Sequence, residues 1–129
     1  MQRNTVQRQT IRTVMQRADR PLSVDEVLKA ARSHIPAIGI ATVYRALKSL
    51  KDEGAIREVD LPGRSSRWEI AGKAHHHHFL CDQCDKLFEI NGCPGDIASL
   101  VPEGYKLAEH DILLQGQCVD CSRQEKRGQ

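Results

Sequence analysis

The stretch Ala74 to Cys84, reading AHHHHFLCDQC, constrains this chain more than any other. Four consecutive histidines run into Cys81 and Cys84, and a second Cys-x-x-Cys pair, Cys118 and Cys121, follows near the C-terminus. Imidazoles and thiolates at this density are metal ligands before anything else. Two such pairs supply the four sulfurs of a closed tetrahedral site, so Cys81, Cys84, Cys118 and Cys121 are read as one structural zinc centre. The gap between the pairs exceeds that of a compact finger and leaves room for a helix and strands. Cys93 fits neither pair and is expected to be a half-buried free thiol.

The histidines add a second constraint. Successive residues on a strand point to opposite faces. Read as a strand, His76 and His78 share one face while His75 and His77 share the other, so one run can serve two metal sites. The run is internal and abuts Cys81, which argues against a tag remnant. For the His76/His78 face the nearest candidate carboxylate in sequence is Glu69, at the end of the hairpin. For the His75/His77 face, Asp96 and His110 are the candidates to complete a site. Imidazole and carboxylate donors suit zinc, ferrous iron and manganese alike.

Composition separates the two halves. Residues 1–72 carry 13 Lys/Arg against 8 Asp/Glu, whereas residues 73–129 carry 6 against 9. A basic half beside an acidic, Cys/His-rich half predicts polyanion binding by the first and metal sensing or assembly by the second. No apolar run is long enough to span a bilayer, and the polar, basic N-terminus has no apolar core of a secretory signal. A cytoplasmic protein with no membrane partner is expected, where cysteines bind metal rather than pair. No His-Glu-x-x-His, Ser/His/Asp set or Gly-rich phosphate loop is present, so an enzyme is not expected. A zinc store or metallochaperone remains as an alternative that would leave the basic half without a role.

Within residues 1–72, apolar spacing predicts helices over Thr5–Arg17, Ser23–Ser33 and Thr42–Glu53. Ser23 and Glu26 form a capping box at the second, and Gly54 ends the third. Two short strands follow, Ala55–Asp60 and Ser66–Ile70, joined by a turn-rich loop that carries Arg64. Three helices and a basic hairpin are the order of a winged helix-turn-helix, with the third helix entering the major groove. On that helix Tyr44, Arg45 and Lys48 lie off the buried stripe of Val43, Leu47 and Leu50. Residues 73–129 predict strands over His75–Cys81 and Lys86–Ile90, and a short helix from Cys93 or Pro94 to Val101. One or two strands within Tyr105–Gln117 and a fraying tail from Ser122 follow. That half is small for an independent core, so a structural metal and a second copy of the chain are its expected supports. The fold class is α+β: a winged-helix domain over residues 1–72 and a small α/β dimerisation domain over 73–129.

The strings IGIATVYRALKSLKDEG (Ile38 to Gly54), HHHHFLCDQC and HDILLQGQCVDC (His110 to Cys121) resemble the ferric uptake regulator family of bacterial metal-dependent repressors. The resemblance covers nearly the whole chain. It implies a homodimer whose metallated form binds pseudo-palindromic, A/T-rich DNA operators and represses metal-uptake genes. By position, the four paired cysteines match that family's structural zinc ligands. Glu69, His76 and His78 match a regulatory site for Fe2+ or Zn2+, with Mn2+ as a further occupant. His75, His77, Asp96 and His110 match a second site, where Asp96 stands at a position that more often holds Glu. Tyr44 and Arg45 match residues that reach base edges, and Arg3 a residue that probes the minor groove. Thr42, Arg8, Lys48 and Arg64 complete the expected DNA-facing set.

Two departures bear on the regulatory metal. Iron- and peroxide-sensing members often supply a histidine where this chain has Pro21, so a fourth ligand is sought among Asp60, His34 and water. Zinc-sensing members often place cysteine where this chain has Glu69. Peroxide-sensing members favour Asp there, which ranks that subgroup third.

Overall fold

The computed structural model describes the backbone of residues 2–127 and the side chains of residues 5–124. The chain divides into two compact units, Met1–Lys73 and Ala74–Gln129.

The first unit holds three helices, α1 (Gln2–Arg17), α2 (Val24–Arg32) and α3 (Ile40–Asp52), and a hairpin of β1 (Ile56–Val59) and β2 (Arg67–Ile70). The capping box at α2 is complete. The Ser23 hydroxyl accepts the Glu26 amide at 3.1 Å, and the Glu26 carboxylate accepts the Ser23 amide at 3.1 Å. The Arg20 guanidinium also pairs with Glu26. α3 ends in a Schellman motif. Gly54, at φ +84°, donates to Lys51 O at 2.9 Å, and Ala55 donates to Leu50 O at 2.9 Å. That turn delivers the chain straight into β1.

Each helix buries one stripe in a shared core: Ile11 and Met15 from α1, Val27 and Ala31 from α2, Val43, Leu47 and Leu50 from α3. Trp68 of β2 closes it from the hairpin side. The hairpin is antiparallel, with Arg57 opposite Glu69. It is also tied to the α1–α2 connection: Leu22 and Trp68 exchange backbone hydrogen bonds at 2.9 and 2.8 Å. These bonds hold the hairpin against the helices, so its loop and α3 keep a set spacing.

The second unit is a three-stranded sheet in the order β4-β3-β5. β3 (His77–Cys81) pairs antiparallel with β4 (Leu87–Ile90) and parallel with β5 (Leu113–Gly116). The tight turn between β3 and β4 places Asp85 at φ +64° and returns its amide to Cys81 O at 2.9 Å. Gly116 permits the parallel pairing, because a Cβ there would lie 3.2 Å from the Phe79 ring. Leu80, Cys81 and Leu87 are the buried apolar residues described in this unit.

Three expectations need correction here. The helix expected over residues 93–101 is only a 3-10 turn at Ile97–Leu100, with none of its residues buried. Without a buried face an α-helix this short has nothing to pack its apolar residues against. Of the strand expected across Tyr105–Gln117, only Leu113–Gly116 pairs; Glu109, His110 and Asp111 interrupt the apolar alternation before it. In place of the expected fraying tail the chain forms a helix, α4 (Val119–Arg127). Asp120 in its first turn complements the positive helix terminus.

Candidate metal centres and nucleic-acid interface

The four-cysteine cluster is built from two local devices. The β3–β4 turn sets Cys81 and Cys84, and the start of α4 sets Cys118 and Cys121 about one helical turn apart. One Sγ from each of the four lies within 4.8 Å of every other, and Cys84 and Cys118 are 3.9 Å apart. Zinc–sulfur bonds of about 2.3 Å in a tetrahedron separate sulfurs by about 3.8 Å, so the cage fits that ion. Burial works against a charged Cys81, yet amides of Cys84, Cys118 and Gln83 aimed at its sulfur bring its pKa down to about 6. The Cys84 and Cys118 amides donate to that Sγ at 3.5 and 3.3 Å. Cys121 moves the other way, pushed up to about 12 by burial and by the neighbouring thiols. Four thiols this close cannot all ionise on their own, and a divalent cation is what lets them do so.

The histidines sort into two pairs as the alternation predicts. The His76 and His78 rings stand 4.9 Å apart, and those of His75 and His77 4.5 Å apart. On the first face, His76 Nδ1–H donates to Ala74 O at 2.8 Å. That bond fixes the tautomer with its proton on Nδ1 and its lone pair on Nε2, the arrangement metal-ligating histidines use. Glu89 Oε1 lies 3.6 Å from this Nε2. Sequence spacing does not single out Glu89. The hairpin register, which places it opposite His78, is the signal that finds it. Asp60 and His34, considered as fourth ligands, both lie in the first unit: Asp60 accepts from Ser66 Oγ at 3.3 Å beside the hairpin loop, and His34 is exposed beyond α2. Glu69 is buried on β2, with Arg57 Nε 3.2 Å from its carboxylate.

On the second face the structure gathers His75, His77, Cys93 and His110, one ligand atom from each within 4.8 Å. Asp96, expected here, is exposed and precedes the 3-10 turn. Its backbone carbonyl, rather than its carboxylate, is engaged, accepting from the Ser99 amide and hydroxyl. Cys93 takes the place beside the histidines, and it is exposed rather than half-buried. Burial first, then the neighbouring His75 and His110 rings, hold the His77 pKa below its ordinary value and keep that ring neutral.

The first unit presents a basic face made by two helices. Gln7 and Arg8 of α1 and Thr42, Arg45, Ala46 and Ser49 of α3 line one shallow cleft. Tyr44 is 50% exposed, a large apolar ring left outside the core. Arg45 donates to Thr42 Oγ1 at 3.1 Å, which extends its guanidinium along the outer face of α3. Lys48 and Arg64 are exposed. Arg8 is engaged with Ser49 Oγ at 3.0 Å and pairs with Glu53, which also holds Arg12. Arg3 lies outside the residues whose side chains are described. No helix among the described residues is long and apolar enough to cross a membrane.

The sequence profile of the ferric uptake regulator family matches residues 2–115. The ferric uptake regulation protein of Shigella flexneri is 32% identical over 131 residues, spanning 95% of this chain and 87% of its own. The solved ferric uptake regulator of Helicobacter pylori, described as having three functional metal binding sites, is 30% identical with a TM-score of 0.71. That match covers 90% of this chain and 79% of that one. A zinc uptake regulator solved with zinc and DNA is 25% identical with a TM-score of 0.57, over 93% of this chain and 83% of that one. Peroxide-responsive regulators also occur among the relatives. The chain belongs to the ferric uptake regulator family, whose members are metal-dependent transcription regulators and not enzymes.

Proposed function

We propose that this protein is a cytoplasmic, homodimeric repressor of metal-uptake genes that binds DNA when a divalent metal fills a site made by Glu69, His76, His78 and Glu89. The observation that carries this reading is the His76 ring. Its Nδ1 is committed to a backbone carbonyl, and its Nε2 faces a carboxylate beside a second imidazole. Two imidazoles and two carboxylates form a nitrogen–oxygen donor set that suits ferrous iron, with manganese next, and lacks the thiolate that would favour zinc. Glu89 supplies the ligand that Pro21 cannot.

The metal acts by preferring one arrangement of the chain, so its effect equals the difference in its affinity for the DNA-binding and non-binding forms. Tyr44 and Arg45 read base edges, Tyr44 against a thymine methyl and Arg45 on guanine or phosphate. Thr42, Arg8, Lys48 and Arg64 supply the salt-dependent phosphate contacts. A second copy is expected against the second unit, where Leu100, Tyr105, Leu107, Leu114 and Val119 are exposed. Zinc in the four-cysteine cage holds that unit together without sensing.

The test is operator binding by gel shift, titrated with ferrous iron, manganese and zinc under anaerobic conditions. The Glu69→Ala, His76→Ala double variant loses metal-dependent binding while remaining a folded dimer. Retained metal dependence in that variant places the switch elsewhere. Binding at equal concentrations of all three metals removes the preference for iron.

A further inference from the structure

The loop between β4 and the 3-10 turn carries a thiol that neither the zinc cage nor the regulatory site uses. Gly92, at φ +128°, turns the chain directly after β4 and precedes Cys93. Cys93 Sγ lies 3.0 Å from His110 Nε2, and His75 Nε2 lies 3.2 Å from the same nitrogen. The His77 ring is 5.0 Å from that of His110. A second, independent feature belongs to a member of this cluster: His77 Nε2 is fully buried and has no hydrogen-bond partner. A buried polar atom left so is costly, and a fold retains it where a ligand removes the cost.

We infer that Cys93, with His75, His77 and His110, forms a tetrahedral site of three nitrogens and one sulfur that takes zinc in preference to ferrous iron or manganese. The site lies wholly in the second unit and does not depend on the regulatory reading above. On tetrahedral zinc, two imidazole nitrogens stand about 3.4 Å apart, and a nitrogen and a sulfur about 3.6 Å. The His75–His110 and Cys93–His110 spacings of 3.2 and 3.0 Å are shorter than these, so those groups open to admit the ion, and all four ligand atoms already lie within 4.8 Å of one another. Donor softness then decides the metal. A carboxylate from Asp96 would have left a site open to iron and manganese, whereas a thiolate in its place selects zinc.

The proton inventory follows from the hydrogen bonds. Zinc displaces the Cys93 S–H proton to solvent, one per ion bound. At His77, the Ile112 amide donates to Nδ1 at 3.1 Å, so the neutral ring carries its proton on Nε2. Ligation through Nε2 moves that proton to Nδ1, with no net release. Two donors would then face each other, and the Asp111–Ile112 peptide must turn its N–H away. The β3–β5 ladder survives this turn, because the Ile112 carbonyl that accepts from His78 at 3.1 Å belongs to the next peptide plane.

The experiment uses the full chain carrying Glu69→Ala and His76→Ala, so that zinc at the regulatory site does not enter the count. Zinc bound per chain is measured after exhaustive dialysis against limiting zinc, with the Ile112 amide followed by NMR. In this background the protein retains two zinc ions per chain. Adding Cys93→Ser removes one and leaves the Ile112 resonance at its metal-free position. Adding Asp96→Ala removes none. Cys93→Asp keeps the fold and narrows the gap between zinc and manganese affinity at that site. The inference is overturned if Asp96→Ala loses the second zinc, if Cys93→Ser keeps it, or if the parent holds one zinc only. Because Cys93 is exposed, neither replacement at that position disturbs packing.

Discussion

The zinc proposed for the four-cysteine cage would, on removal, separate the stabilities of the two units. In the second unit the buried apolar side chains described are Leu80, Leu87 and Cys81. Two fully buried leucines contribute about 3–6 kcal/mol. A structural zinc contributes roughly 10–16 kcal/mol of apparent folding free energy in zinc-finger peptides at neutral pH. A zinc of that strength in the proposed cage would outweigh the apolar core of this unit. Cys118→Ser, which removes one sulfur and lengthens no contact elsewhere, should unfold the second unit at room temperature. The first unit keeps its own core, from Ile11 to Trp68, and should remain folded. The single tryptophan, Trp68, lies in that core, so its fluorescence melt reports the first unit alone. Hydrogen exchange at Phe79 and Leu80 reports the second. The expected result is an unchanged tryptophan melt together with loss of protection on β3, in both the variant and the chelated wild type. Protected Phe79 and Leu80 amides in a chain shown by mass spectrometry to hold no zinc would refute the reasoning.

Two further outcomes follow from the first unit. Ser23→Ala should cost about 1 kcal/mol through loss of the cap, read as a fall of roughly 4–8 °C in the melt of a unit this size. Burial raises the Glu26 pKa, but Arg20 and the Ser23 amide outweigh it, so the folded value lies below the ordinary 4.5. Its contribution is present above that ordinary value and is lost as pH falls through the folded one, so the stability gap between wild type and Glu26→Gln should close on acidification below about pH 4.5. Glu53→Gln frees Arg8 and Arg12 from their shared carboxylate. It should tighten non-specific DNA binding and steepen the salt dependence by about one phosphate contact; an unchanged slope in fluorescence anisotropy would show that neither arginine reaches the backbone.

Local chemistry makes some of this legible in the sequence. The α2 cap, the Gly54 stop and the sorting of the histidines each depend on residues within a turn or a strand of one another, and each is as expected. The errors share a different cause. Spacing favours Asp96 over Cys93, but the path of a loop is decided by what its ends pack on, which spacing does not encode. Glu89 escapes a reading that follows alternation along β3 but not across to its hairpin partner. Residues 105–112 carry Tyr105 and Leu107 at strand-like spacing, yet a strand needs a neighbour to pair with, and only Leu113–Gly116 finds one. α4 is obscured because Cys118 and Cys121 read as ligands, and ligand spacing and helical spacing coincide there.

The alternation of the four histidines has a consequence for how this segment tolerates change. A substitution at any one of them weakens one centre and spares the other. Gain of a single residue between His78 and Phe79 would instead turn every ring to the opposite face, handing each centre the other's side chains at once. The parity of the run is thus held more tightly than the identity of its members, and variants that differ in length there should do so by pairs.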